Sequence, residues 1–116
     1  MAIPRITARE DGDVTILDVA GEIIVGDEGF SEAFVAAVHQ VLEAGGRRIL
    51  ACLDARHLTS TAFGAVIESS QVVRERGGAL AAYSARPTLR AVFKVLVHTG
   101  IFFNTEEEAR AAVGQA

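Results

Sequence analysis

Residues 14–20, VTILDVA, place Val14, Ile16 and Val19 in a pattern close to strict alternation, which predicts a strand with one buried face. The Asp11-Gly12-Asp13 stretch before it has hairpin-turn chemistry. Residues 3–9 are therefore predicted as the first strand. Pro4 puts it at a sheet edge, because proline has no N–H for a ladder on both sides. Gly21 closes the second strand, and GEIIVGDEG, residues 21–29, reads as a loop. The period then changes. Phe30, Phe34, Val38, Val41 and Leu42 recur at helical spacing, with Asp27 as the candidate N-cap and Gly45-Gly46 as the stop. The apolar run RILACLD, residues 48–54, suits a strand buried on both faces. From about Thr61 a second helix is predicted to turn Phe63, Val66, Ile67 and Val73 inward, ending at RERGG.

A further buried strand is predicted over residues 79–84. A third helix follows, with Pro87 in its first turn and Leu89, Val92, Phe93 and Leu96 as its inner face. Gly100 ends it, residues 101–103 form a short strand, and Thr105 with Glu108 reads as the capping box of a terminal helix. The alternation of strand and helix predicts an α/β fold whose sheet has parallel members joined by crossovers. No internal repeat or linker interrupts the 116 residues, so one domain spanning 1–116 is expected.

Composition narrows the function classes. Half of the residues are hydrophobic, enough for a real core, yet no apolar stretch approaches the about 20 residues a membrane span needs. The net charge is -4 and the cations are scattered, which argues against nucleic acid as a partner. The first ten residues, MAIPRITARE, hold no apolar signal region, and the single cysteine, Cys52, has no partner for an internal disulfide. A reduced, cytoplasmic setting is the expectation.

Catalytic constellations are sparse. His39, His57 and His98 lack metal-like spacing. Cys52 sits mid-strand between Leu50 and Leu53, where burial raises a thiol pKa and makes it a small hydrophobe. Gly21, Gly26 and Gly29 fit neither a dinucleotide-binding fingerprint nor a phosphate loop. Glu106 to Glu108 suit the first turn of a helix, and Glu68 and Asp54 are not obviously paired. No enzyme, metal or cofactor is predicted.

The informative stretch is His57 to Ser70, HLTSTAFGAVIESS, where Thr59, Ser60 and Thr61 precede an apolar helical run. Residues 55–58 connect them to the carboxyl end of a strand, the usual binding edge of an open α/β sheet. One reading makes Ser60 or Thr59 the helix N-cap, contributing about 1 kcal/mol. The other is phosphorylation. A phosphate at a helix N-terminus meets free N–H groups and the positive end of the dipole, so the fold tolerates it and its effect falls on a partner.

The ordered set of segments resembles a STAS domain of the anti-sigma factor antagonist type. The likeness spans nearly the whole chain. It rests on a strand ending in Gly21-Glu22, a strand ending in Leu53-Asp54, and the motif Thr59-Ser60-Thr61-Ala62-Phe63-Gly64, which in the family commonly reads Asp-Ser-Ser-Gly-Leu-Gly. RERGGALAAYSARPTLRAVFKVLVHTGIFF, residues 74–103, and the terminal helix complete it. The resemblance implies a STAS-like mixed sheet of four to five strands with about four helices. It also implies a phosphorylation-controlled switch that binds an anti-sigma factor carrying a serine kinase domain and is reset by a PP2C-type phosphatase. Ser60 maps to the phosphoacceptor, with Thr61 and Thr59 as runners-up. The partner-binding residues are then Thr59, Ser60, Thr61, Ala62, Phe63, Gly64 and Ile24. Thr59 stands where the family has Asp, Ala62 where it has Gly, and Ile24 where an acid is common.

Two other readings follow from the same resemblance. One is a scaffold that packs against itself or other STAS proteins in a signalling assembly. The other is a ligand-sensing module in which the apolar Ile23-Ile24-Val25 lines a groove.

Overall fold

The computed structural model describes residues 5–21, 28–55 and 58–114. The predicted Asp27 cap, Pro4, Glu22, Ile23, Ile24, Val25 and His57 lie outside the described residues. Five strands and four α-helices follow in the order β1 (Arg5–Asp11), β2 (Val14–Gly21), α1 (Glu28–Glu43), β3 (Arg48–Ala55), α2 (Ser60–Glu75), β4 (Ala79–Tyr83), α3 (Pro87–Leu96), β5 (Phe102–Phe103) and α4 (Glu106–Gly114). A 3-10 turn, Val97–Thr99, links α3 to β5. The α/β architecture is the one expected. The first strand runs to Asp11 rather than stopping at Arg9, because a two-residue turn at Gly12-Asp13 lets the ladder continue to the Asp11–Val14 pair.

The sheet order is β1-β2-β3-β4-β5. β1 is antiparallel to β2, and every later pair is parallel. The period-two pattern splits the sheet into two faces. Leu17, Val19, Ile49, Ala51, Leu53, Leu80, Ala82 and Phe102 point to one face and form the main core with α1, α2 and α3. Val14, Ile16, Leu50, Ala81 and Tyr83 point to the other, where Ala109 and Val113 of α4 cover them.

Helix α1 packs Phe30, Phe34, Val38, Val41 and Leu42 inward, as their spacing requires. Two inward assignments change. Val92 on α3 is 39% exposed rather than buried. That helix reaches the core through the narrower stripe of Leu89 and Phe93, with Leu96 packed at its margin, and Val92 falls beside the stripe. Ile67 is half-buried at the edge of α2's apolar face.

The terminal helix starts as predicted. Thr105 Oγ1 accepts the Glu108 backbone N–H at 3.2 Å and donates to Glu108 Oε1 at 3.1 Å. No helix among the described residues is long and apolar enough to cross a membrane.

Candidate functional site

The first turn of α2 begins just beyond the carboxyl end of β3. Leu58 is buried in the main core and anchors the chain entering the helix. Thr59 is the N-cap, with extended backbone at φ -80° and ψ 165°. Its Oγ1 accepts the Ala62 backbone N–H at 3.1 Å, and its carbonyl accepts the Phe63 N–H at 3.0 Å. Leu58 before the cap and Phe63 at the fourth helical position share the core cluster, the arrangement of a hydrophobic staple. Of the two candidates for the cap, Thr59 holds it. Ser60 is the first helical residue.

Helical geometry divides the motif into two faces. Ala62 is fully buried and Phe63 is 9% exposed. Ser60, Thr61 and Gly64 are exposed, and Thr59 is half-buried. A Cβ built on Gly64 would meet nothing within 4 Å, so the surface next to Ser60 and Thr61 is open. The side chains of Ala62 and Phe63 therefore position the turn, and the accessible surface comes from Ser60, Thr61 and Gly64.

Phe63 locks that turn in place through aromatic packing. Its ring lies 6.0 Å from Phe93 of α3 and 5.6 Å from Phe102 of β5, both edge-on, and Phe93 and Phe102 are 5.0 Å apart. Such pairs add about 0.5–1.5 kcal/mol each beyond burial. The cluster ties the start of α2 to α3 and fixes what the two present together. On α3, Val95 is 72% exposed, and Arg90 and Lys94 stand one turn apart with no acidic residue in the helix. At the neighbouring strand ends, Arg86 Nε donates to Asp54 Oδ1 at 2.7 Å. Ser84 is buried, and its Oγ accepts the Arg86 N–H at 3.1 Å, shaping the turn into α3. The ion pair is exposed, so it contributes little stability. It places Asp54, the end of the expected Leu-Asp strand, beside a cation.

The other sheet face carries a polar network absent from the sequence reading. Tyr83 donates its hydroxyl proton to Glu106 Oε1 at 3.1 Å, and Arg110 binds both Glu106 and Asp11 at 2.7 Å. Arg110 and the Tyr83 hydroxyl hold the Glu106 carboxyl below its ordinary range. Burial, with Cys52 and Glu106 beside it, pushes the Tyr83 phenol up. Burial likewise raises the half-buried Cys52 thiol, the direction expected for an inert cysteine. These residues are far apart in sequence and meet only because α4 lies against β3 and β4, within reach of Asp11 at the end of β1.

His39 is exposed on α1, and His98 is exposed with Nδ1 3.0 Å from the Val95 carbonyl. Among the described residues, no group of three or more His, Cys, Asp or Glu comes together as a metal site.

A mixed sheet of four to five strands with about four helices is the architecture that the resemblance to STAS domains implies, the described residues form it, and solved structures share the fold. Both the NMR structure of the protein TM1081 and a crystal structure of TM1081 from Thermotoga maritima superpose on the chain, with TM-scores of 0.71 and 0.72. Each is 21% identical and covers 94% of this chain, and 88% and 94% of its own. TM1081 is described in the crystal structure as a proposed anti-sigma factor antagonist. At that identity the likeness establishes the fold. No protein-family profile matches the chain, and no curated protein matches it.

Proposed function

We propose that the chain is an anti-sigma factor antagonist, a non-enzymatic binding protein that loses its partner when Ser60 is phosphorylated. One observation carries the reading. Thr59 supplies the helix cap, and Ser60, next to it, is exposed as the first residue of α2. Its hydroxyl makes no hydrogen bond among the described residues, so a kinase has access to it. The backbone N–H groups of the helix start and the dipole stabilise the added anion, and the fold survives the modification.

The surface around Ser60 suits an acidic partner. The first turn of α2 has no acid to oppose such a partner. A phosphate on Ser60 adds about -1.5 to -2 charges at the start of α2 and repels an acidic partner there. The partner in this reading is an anti-sigma factor with a serine kinase domain, and a PP2C-type phosphatase restores the binding form. The fold shared with TM1081 supports this reading.

Phosphopeptide mapping of the chain from its native cells, under several growth conditions, tests the proposal. Condition-dependent phosphate on Ser60 is expected. Phosphate confined to Thr59 or Thr61 overturns the residue assignment. An abundant chain that never carries phosphate overturns the switch.

A further inference from the structure

β1 occupies the sheet edge, and nothing among the described residues hydrogen-bonds to its outer side. Its seven residues pair with β2 in unbroken register, from Arg5 opposite Ala20 to Asp11 opposite Val14. No bulge interrupts the strand, so its outer side is a regular template for another strand.

The hairpin settles which groups face outward. Gly12 has φ 67° and Asp13 has no positive φ, the pattern of a type II′ two-residue turn. The closing pair of such a hairpin is hydrogen-bonded, and bonded pairs alternate along the ladder. Asp11, Arg9, Thr7 and Arg5 therefore bond to β2. Ile6, Ala8 and Glu10 turn their N–H and C=O groups outward.

We propose that a second copy of this chain pairs antiparallel with this edge, placing Ala8 opposite the partner's Ala8 on a two-fold axis. Of the registers compatible with the outward groups, three overlap at least five residues of β1, and charge separates those three. Centring on Thr7 sets Arg5 against the partner's Arg9. Centring on Arg9 sets that residue against the partner's Arg9. Like charges directly opposed destabilise a strand pair. Centring on Ala8 instead sets Arg5 against the partner's Asp11, twice by symmetry, with two small side chains on the axis.

The residues are ready for that pairing. Arg5 is exposed and has no ion-pair partner among the described residues. Asp11 is held by Arg110 at Oδ2 only, and its side chain is 54% exposed, so it can accept a second cation. On the helix side of the strand, a cleft of about 330 Å³ between β1 and α1 is floored by Ile6, Ala8, Leu17, Ala37 and Val41. In this register Ile6 lies opposite the partner's Glu10, and the two copies together close the outer flank of that cleft. The proposal rests on the sheet edge and is independent of Ser60.

Sedimentation equilibrium of the full chain over about a hundredfold concentration range, with amide hydrogen exchange read by NMR, tests it. A reversible dimer is expected. As it forms, exchange slows at the amides of Ile6, Ala8 and Glu10, while Thr7 and Arg9, already bonded to β2, stay unchanged. Arg5→Glu weakens the dimer about tenfold without changing the circular dichroism spectrum, and adding Asp11→Arg restores it. A monomer at every concentration overturns the proposal. So does a dimer that is insensitive to Arg5→Glu and unprotected at those three amides.

Discussion

Thr59 Oγ1 accepts the Ala62 backbone N–H at 3.1 Å, and this bond takes the capping role away from the adjacent Ser60. The two hydroxyls, neighbours in sequence, have different work. Removing the first should cost stability and removing the second should not. Thr59→Ala is expected to lower the unfolding free energy by about 1 kcal/mol. Ser60→Ala is expected to change it by less than about 0.5 kcal/mol. Urea denaturation of both variants checks this, and equal losses would contradict the assignment of the cap.

An anion at Ser60 should be compatible with the fold. Ser60→Asp places a carboxylate on the first residue of α2, where the helix dipole favours negative charge by about 0.3–1 kcal/mol. The melting temperature of the purified variant is expected to equal or slightly exceed that of the parent. A drop equivalent to about 1 kcal/mol or more would mean that phosphate acts by disturbing the fold rather than by repelling a partner.

The aromatic cluster and the exposed valines of α3 should respond in opposite ways. Phe93 is 1% exposed and touches both Phe63 and Phe102, so Phe93→Ala should cost about 3–5 kcal/mol. Val95 is 72% exposed, and Val95→Ala should stay within about 0.5 kcal/mol. Thermal unfolding distinguishes them. A large loss at Val95 would show that α3 packs through that face.

Acid should weaken the contact between α4 and the sheet. The Glu106 carboxyl titrates below its ordinary 4.5 because Arg110 and Tyr83 bind the charged form. A group whose folded pKa is depressed stabilises the fold above its unfolded pKa, and that contribution fades as pH falls through the folded value. The parent is therefore expected to lose stability more steeply than Glu106→Gln below about pH 4.5. Matched slopes in thermal melts at descending pH would refute the linkage. The effect is small, because the carboxylate is substantially exposed.

Much of the architecture was legible in the chain because it depends on local rules. Gly12 at φ 67° and Gly77 at φ 83° sit where a left-handed backbone is needed, and both were readable as turn and stop. Gly78 is different. It read as part of the same stop, but a Cβ there would collide with the Arg47 carbonyl, which accepts the Ala79 N–H at 2.8 Å. That requirement comes from the packing of two strand entrances and leaves no local signature. The Tyr83, Glu106, Arg110 and Asp11 network was hidden for the same reason, since 99 positions separate Asp11 from Arg110.

By itself the sequence determined the alternation of elements, the apolar stripes, the turns and the presence of hydroxyls at a helix start. Each depends on the backbone of a few consecutive residues or on the 2.0 and 3.6 periods of side-chain direction. Only the tertiary structure decided that Thr59 caps α2, that Ala62 and Phe63 turn inward while Ser60, Thr61 and Gly64 stay outside, and that Val92 leaves the core. Those outcomes depend on how wide a stripe each helix buries, and neighbouring elements set that width through close packing.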